Sequence, residues 1–291
     1  MRKIKPLNDF VFKKVFGEKG NEDILLAFIN AVLKRTNKDI LVELEILENK
    51  ELTGELIDDR TGIIDVRAKT SNDEHIDIEV QLTDQGNMDK RTLFYWGKMY
   101  LENIKKGEDF KSLEKVITIN ILDFEFLGTE SYQSSFHLWE DLEKDYMLTD
   151  IVEIHFLELP KFRRKNDKNF KDSSIERWLT FLEKDISDNT LKELIELEPV
   201  IQKAENKIEY LSADKNAMEL YWNRERSLHE RANMINSAMD KGRKEGREEG
   251  REAGKIESAI SFLDILDDET IATKLGLEIN LVKNLRFKHN K

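Results

Sequence analysis

The sequence contains no cysteine among its 291 residues. Disulfide bonds, thiolate nucleophiles and cysteine zinc sites are therefore excluded, and this composition fits a reducing cytosol. Histidine is also scarce, and its five copies are scattered without the spacing of metal ligands. We therefore assign no site to the histidines.

Long apolar runs are absent as well, so no segment predicts a membrane span. The first residues, 1–9, lack the apolar stretch of a signal peptide. We expect a soluble, cytoplasmic protein without a membrane partner. The net charge is −12, so the surface as a whole does not attract a polyanion. A nucleic-acid partner would need a local basic patch or metal ions.

Residues 1–160 alternate helical and strand patterns, which is typical of an α/β core. Phe12 and Phe16 lie four residues apart in a short helix that begins at Asn8 or Asp9 and ends at Gly17. Further helices are predicted at residues 22–33 and 89–106. Strands are predicted at residues 40–46, 63–69, 75–82, 116–122 and 151–159, the last closed by Pro160.

Beyond residue 160 the pattern is mostly helical, at residues 175–182 and 191–239. A repeat at 241–255 then places glycine at every fourth position, which indicates either a flexible linker or a helix whose glycine face packs on a partner helix. Residues 268–285 resemble half of a helix-turn-helix with its turn at Gly276. They form either a DNA contact, through Lys283, Arg286 and Lys288, or a small helical hairpin for association.

Acidic side chains alternate along the hairpin formed by residues 62–81. With a turn centred near Asn72, Asp65 lies opposite Glu79 and Arg67 lies opposite Asp77. Two carboxylates with Cβ atoms about 5 Å apart repel unless a cation lies between them, and Mg²⁺ suits such oxygen ligands. Gln81 points to the same region. The alternative is a solvated face of an amphipathic hairpin.

Basic residues supply two candidate contacts for phosphate. Arg91, Tyr95 and Lys98 share one face of the helix that follows the hairpin, where Tyr95 either binds a ligand or packs on the sheet. Residues 161–171 hold six basic residues against one acidic residue, and form either a DNA-backbone contact or a solvated loop. The predicted DNA contacts are Lys69, Lys98, Lys161, Arg163, Arg164 and Lys165.

Several motifs occur together in an order typical of one family. They are Asp9–Gly17, Asp65-Val-Arg-Ala, Ile78-Glu-Val-Gln81, Lys90–Tyr100, Gly107–Leu113 and Trp178–Leu182. Over residues 5–255 the chain resembles the recombination-promoting nuclease and transposase-like proteins of the PD-(D/E)XK nuclease superfamily.

This resemblance implies a restriction-endonuclease-like α/β fold with a central mixed sheet flanked by helices, followed by a helical C-terminal region. Together with the pattern along the chain, we expect a nuclease-like domain at 1–185, a helical extension at 186–240, the repeat at 241–255 and a small helical module at 256–291. The implied activity is hydrolysis of DNA phosphodiester bonds with Mg²⁺, or Mn²⁺ in its place. The implied biological role of this activity is in recombination, mobile elements or defence.

By position in the motif, Asp65 and Glu79 hold the metal, Gln81 orients water or phosphate, and Arg91 or Lys69 offsets charge. Asp77, Tyr95 and Asp9 are expected to support them, although a helix cap is the preferred explanation of Asp9. The C-terminal helices would supply homodimerisation or target choice. Gln81 stands where the superfamily usually has lysine, so a degenerate DNA-binding or assembly protein is the alternative function.

Overall fold

The computed structural model describes residues 2–34, 40–47, 66–105 and 107–289. The strands in these ranges are β1 (Leu44–Leu47), β2 (Val66–Thr70), β3 (His75–Gln81), β4 (Val116–Leu122), β5 (Gln133–Trp139) and β6 (Met147–Glu158). The helices are α1 (Asp9–Phe16), α2 (Glu22–Leu33), α3 (Met88–Glu102), α4 (Leu159–Arg164), α5 (Ser174–Leu182), α6 (Asp188–Leu197), α7 (Val200–Ala213), α8 (Lys215–Phe262), α9 (Asp268–Leu275) and α10 (Ile279–Lys288).

The described strands form one open sheet in the order β1-β2-β3-β4-β6-β5. Pairing is parallel from β3 through β4 to β6 and antiparallel elsewhere. β4 lies near the centre and every one of its residues is buried, as its β-branched sequence predicts for a strand covered on both faces. The predicted mixed α/β sheet flanked by helices is confirmed.

The predicted hairpin register is present, because Arg67 pairs with Asp77 and Val66 pairs with Ile78. Asp73 adopts a φ of 62° in the turn, a left-handed conformation that aspartate tolerates better than most residues. Asp65 itself lies outside the described residues. The strand register therefore fixes the positions of Arg67, Asp77 and Glu79, while the predicted pairing of Asp65 with Glu79 stays a prediction.

The two faces of the sheet are covered in different ways. Ile76, Ile78 and Val80 of β3 join the main apolar core, in which Trp178 of α5 lies 5.7 Å from Phe16 and 5.9 Å from Phe28, measured between ring centroids. The opposite face carries the polar side chains of β3 and is covered by α3. This alternation, dictated by the period of two along a strand, creates a buried polar layer under one helix.

Several elements differ from the sequence-based expectation, among them β6, which begins at Met147 and not at residue 151. The sequence pattern does not predict β5, because this edge strand begins with polar residues and only Gln133 among its seven residues is fully buried. β1 begins at Leu44, four residues later than expected. The basic segment after β6 begins as a helix rather than a loop, because Pro160 lies in the first turn of α4, where a missing N–H has no cost.

The chain divides into two compact units, residues 1–227 and 228–291. In the second unit α9 and α10 meet at Gly276, whose φ is 61°, around a small core of Ala259, Leu263, Ile271, Ala272 and Val282. The glycine repeat is helical, within α8, and its four glycines are exposed. No helix among the described residues combines the length and apolarity needed to cross a membrane.

Arg286, one of the DNA contacts that the sequence suggested, has partners within its own chain. Its guanidinium donates to the backbone carbonyl oxygens of Leu263 and Leu266 and pairs with the Asp268 carboxylate at 2.8 Å. Arg286 therefore ties α10 to the end of α8 and the start of α9, and its role here is structural.

Candidate active site

Two carboxylates lie in the polar layer between the sheet and α3. Asp77 and Glu79 of β3 share one face and are 1% and 2% exposed. Burying an ionised carboxylate costs free energy unless hydrogen bonds or a cation compensate. A solvated hairpin face, the alternative interpretation from sequence, does not describe these two residues.

Glu79 has one oxygen engaged and one oxygen unused. Its Oε2 accepts a hydrogen bond of 3.3 Å from Nε of Arg91. Its Oε1 is buried and has no hydrogen-bond partner among the described residues. Burial raises the pKa of Glu79, and the nearby Arg91 guanidinium only partly opposes that rise. The site therefore holds a carboxylate with one oxygen available to a further cation or donor.

Arg91 reaches Glu79 from the side of α3 that faces the sheet. Its guanidinium carbon lies 5.1 Å from the ring centroid of Tyr95, a distance typical of a cation–π contact. Tyr95 is 4% exposed and forms part of the buried stripe of α3. The structure thus brings Glu79, Arg91 and Tyr95 together, with Tyr95 packed beneath the guanidinium.

Two polar side chains lie next to the acids and were not predicted from the sequence: the hydroxyl of Thr118 and the amide of Asn120. Asn120 pairs in register with Glu79 and Thr118 with Asp77. The Asn120 side chain accepts from the Thr92 hydroxyl at 2.8 Å and donates to the backbone carbonyl of His155 at 3.0 Å. The signal was present in the sequence, since Thr118 and Asn120 interrupt an otherwise apolar strand at alternate positions.

Two other basic candidates near the hairpin pair with acids other than Glu79. Arg67 pairs with Glu102 at 2.8 Å. Lys69 lies at the turn end of β2, where it pairs with Asp73 and Glu114. Gln81 ends β3 and is half-buried, as is Lys98 on α3. Of the predicted basic residues, Arg91 alone has an ion pair with Glu79 among the contacts of the described chain.

The chemistry of this donor set suits a hard cation. No group of three or more acidic or histidine side chains that could hold a metal occurs among the described residues, and Asp65 is not one of these residues. The unused Oε1 of Glu79 is nevertheless a buried anionic oxygen, which is the ligand type that Mg²⁺ and Mn²⁺ prefer. The described residues therefore fit one part of the predicted metal site.

The chain matches one known protein family over most of its length. The family model described as PD-(D/E)XK nuclease family transposase matches residues 6–238. The chain belongs to this family. Neither the curated proteins nor the solved structures contain a significant match. Membership of the PD-(D/E)XK nuclease family transposases indicates a nuclease-like function for this chain.

In this PD-(D/E)XK family member, the basic residues at 161–165 form ion pairs with acids of the same chain. Lys161 is 6% exposed, and its ammonium lies 2.6 Å from Glu158 Oε2 and 2.8 Å from the Leu127 carbonyl. Arg163 pairs with Asp123 and Glu183. Arg164 pairs with Glu125, and Lys165 pairs with Glu176. Lys161 is thus enclosed by protein, and DNA contact by the other three would compete with these pairs.

Asp9 contacts Arg224 of α8. The cap of α1 is Asn8, whose side chain accepts from the backbone N–H groups of Phe10 and Val11. Asp9 is the first helical residue, and its carboxylate accepts a bond of 2.6 Å from Arg224 of α8. Its contacts therefore join α1 to α8, and its predicted support of the hairpin acids stays a prediction.

Proposed function

We propose that this protein is a metal-dependent endonuclease that hydrolyses DNA phosphodiester bonds in the cytoplasm. The observation that carries the proposal is the buried Glu79 carboxylate, which has Arg91 on one oxygen and no described hydrogen-bond partner on the other. Family membership supplies the reaction class. Mobile elements, recombination or defence form the proposed setting.

Glu79 and Asp65 would hold Mg²⁺, or Mn²⁺ in its place. When bound, such an ion lowers the pKa of a coordinated water and stabilises negative charge on a phosphate. Glu79 offers its unused Oε1 for this purpose. Asp65 directly precedes Val66, whose partner Ile78 directly precedes Glu79.

Arg91 and Gln81 perform the remaining roles. The Arg91 guanidinium favours the ionised form of Glu79 and offsets charge that develops on the phosphate. Gln81, at the end of β3, provides an amide that both donates and accepts, so it can orient a water molecule or a phosphate oxygen. Asp77 adds a second buried carboxylate to the same layer.

Plasmid cleavage tests this proposal. Pure protein is incubated with supercoiled DNA in Mg²⁺, in Mn²⁺ and in EDTA, alongside Asp65→Ala, Glu79→Ala and the control Glu196→Ala on the exposed side of α6. Cleavage should require metal and fall at least about a hundredfold in the first two variants, while the control retains it. Cleavage that persists in EDTA, or survives both substitutions, would refute the assignment.

A DNA-binding protein without catalysis is the second candidate, and Gln81 is the observation that favours it. The amide carries a dipole where lysine would carry a charge. Gln81→Lys restores that charge and should raise the cleavage rate about tenfold if the site is active but weak. If wild type binds DNA without cutting it, and Gln81→Lys and Gln81→Ala also leave it uncut, the binding function is the correct one.

A further inference from the structure

One side of helix α3 carries basic residues around an exposed aromatic ring. Successive residues of a helix are turned by about 100° from one another. Phe94 and Lys98 therefore lie on the same side as Arg91, three and seven residues after it, and Lys90 borders Phe94 from four residues before. These four residues, Lys90, Arg91, Phe94 and Lys98, form the α3 flank, which leads outward from the residue that contacts Glu79.

The α3 flank lies above the hairpin that carries the acids. Arg91 reaches Glu79 of β3, and Glu102, further along the same side of the helix, pairs with Arg67 of β2 at 2.8 Å. Trp96, on the other side of the helix, bonds to β4 instead. The flank therefore borders the candidate active site, and the acid next to it is already neutralised.

The two lysines of the α3 flank are available to phosphate. Lys90 is exposed and Lys98 is half-buried, and neither forms an ion pair with a described residue. The basic residues at 161–165 differ from them, because each of those is paired with an acid of the same chain. Asp89 is turned by about 100° away from Lys90. The flank is therefore positively charged and complementary to a phosphate backbone.

Phe94 lies between the two lysines and is 60% exposed. Its ring meets the ring of Tyr95 edge to face, at 5.5 Å between centroids and 74° between planes. Tyr95 is itself buried beneath Arg91, so this contact fixes Phe94 near the site and leaves more than half of its surface open. Nucleic-acid bases stack on exposed aromatic side chains, and a base outside the duplex offers a free face for this contact.

We propose that Phe94 stacks on an unpaired base of the DNA substrate, while Lys90 and Lys98 bind phosphates on either side of that base. Two cations without described partners, on either side of the ring, favour a polyanion over an apolar protein surface as the occupant of the flank. The preferred substrate is therefore DNA with an unpaired nucleotide near the cleaved bond. The location of the DNA rests on the proposed function, because Arg91 links this flank to Glu79.

Binding of the full-length chain to two matched DNA hairpins tests the proposal. One hairpin is fully paired, and the other carries a single unpaired nucleotide in its stem. Affinities are measured by fluorescence anisotropy with Ca²⁺ in place of Mg²⁺, so that the DNA stays intact. The wild type should bind the second hairpin about tenfold more tightly than the first. Phe94→Ala and Phe94→Leu should remove this preference, whereas Phe94→Tyr should keep it, because stacking requires an aromatic ring.

Phe287→Ala is the matched control, since Phe287 is 87% exposed and lies in α10, and it should keep the preference. Lys90→Ala and Lys98→Ala should each weaken binding to both hairpins and lower the slope of log affinity against log salt by about one. A 2-aminopurine base at the unpaired position locates the contact. Its fluorescence should fall on binding to the wild type and not on binding to Phe94→Ala.

Equal affinity of the wild type for the two hairpins would overturn the proposal, and so would a preference that survives Phe94→Ala or is lost equally in Phe287→Ala. Plasmid cleavage by the same variants separates this proposal from the nuclease assignment. Cleavage in Mg²⁺ that depends on Glu79, together with a hairpin preference that does not depend on Phe94, would refute the stacking contact alone. A hairpin preference that depends on Phe94, without cleavage under any metal, would refute the nuclease assignment alone.

Discussion

At the scale of single residues, the site depends on a carboxylate that folding alone does not favour. Glu79 is buried, receives one long hydrogen bond from Arg91, and leaves Oε1 without a described partner. A residue chosen only for stability at this position would be apolar or fully hydrogen-bonded. Such a conflict between local stability and the residue present is typical of functional sites.

Replacing Glu79 with glutamine should therefore stabilise the fold in a pH-dependent way. The pKa of Glu79 is raised above its ordinary 4.5 in the folded state, so stability is lost as the pH rises from 4.5 through that raised value. Below 4.5 the carboxyl is neutral in both states and this loss is absent. We expect Glu79→Gln to increase the free energy of unfolding by roughly 1 kcal/mol at neutral pH, and to leave it unchanged in acid.

Urea unfolding at a series of pH values measures this difference, with Glu196→Gln as the exposed control. A Glu79→Gln protein that is less stable than the wild type at neutral pH would contradict it. The same samples report on the metal, because Mg²⁺ or Mn²⁺ should raise the melting temperature of the wild type and not of Glu79→Gln.

At the scale of elements, the position of α3 sets the position of Arg91. The helix is attached to the sheet by the Thr92–Asn120 hydrogen bond, and by a bond from the Trp96 indole to the Val116 carbonyl at 3.1 Å. Asn120 in turn is fixed by the His155 carbonyl on β6. Arg91, adjacent to Thr92, is thereby held opposite Glu79.

Removing the amide of Asn120 should loosen this attachment. Asn120→Ala leaves the Thr92 hydroxyl and the His155 carbonyl without their partner, and should cost about 2 kcal/mol of unfolding free energy. Thr92→Val removes only one of the two bonds and should cost about half as much. Hydrogen exchange should speed up in α3 before it does in α5. Equal exchange in both helices of Asn120→Ala would count against this role.

Regular alternation made parts of this site predictable from sequence. The period of two along β2 and β3 gave the Arg67–Asp77 register and the shared face of Asp77 and Glu79, both of which the structure contains. The alternation does not predict that those acids are buried, because burial depends on how α3 covers the sheet. The partners of Lys161 were equally hidden, since Leu127 lies more than thirty residues away in the chain.

At the scale of the whole molecule, charge works against DNA binding. The net charge is −12, and the four basic residues between 161 and 165 already pair with acids of the same chain. Phosphate contacts by free lysine and arginine are therefore few in this segment. A divalent ion at Glu79 would supply attraction that the surface does not.

DNA affinity should consequently depend on divalent metal. Under conditions that block cleavage, such as Ca²⁺ in place of Mg²⁺, fluorescence anisotropy should give an affinity at least about tenfold higher than in EDTA. Glu79→Gln should remove that difference. The slope of log affinity against log salt should correspond to fewer than about five phosphate contacts. Tight binding in EDTA with a steep salt slope would instead indicate a basic surface elsewhere in the chain.

The attachment of α3 to the sheet has a consequence for how this sequence can vary. Thr92 and Asn120 satisfy each other inside the protein, so a change at one of them alone leaves a buried polar atom at the other. Apolar residues at both positions together cost less than an apolar residue at one. Related sequences should therefore keep this pair or exchange both members at once.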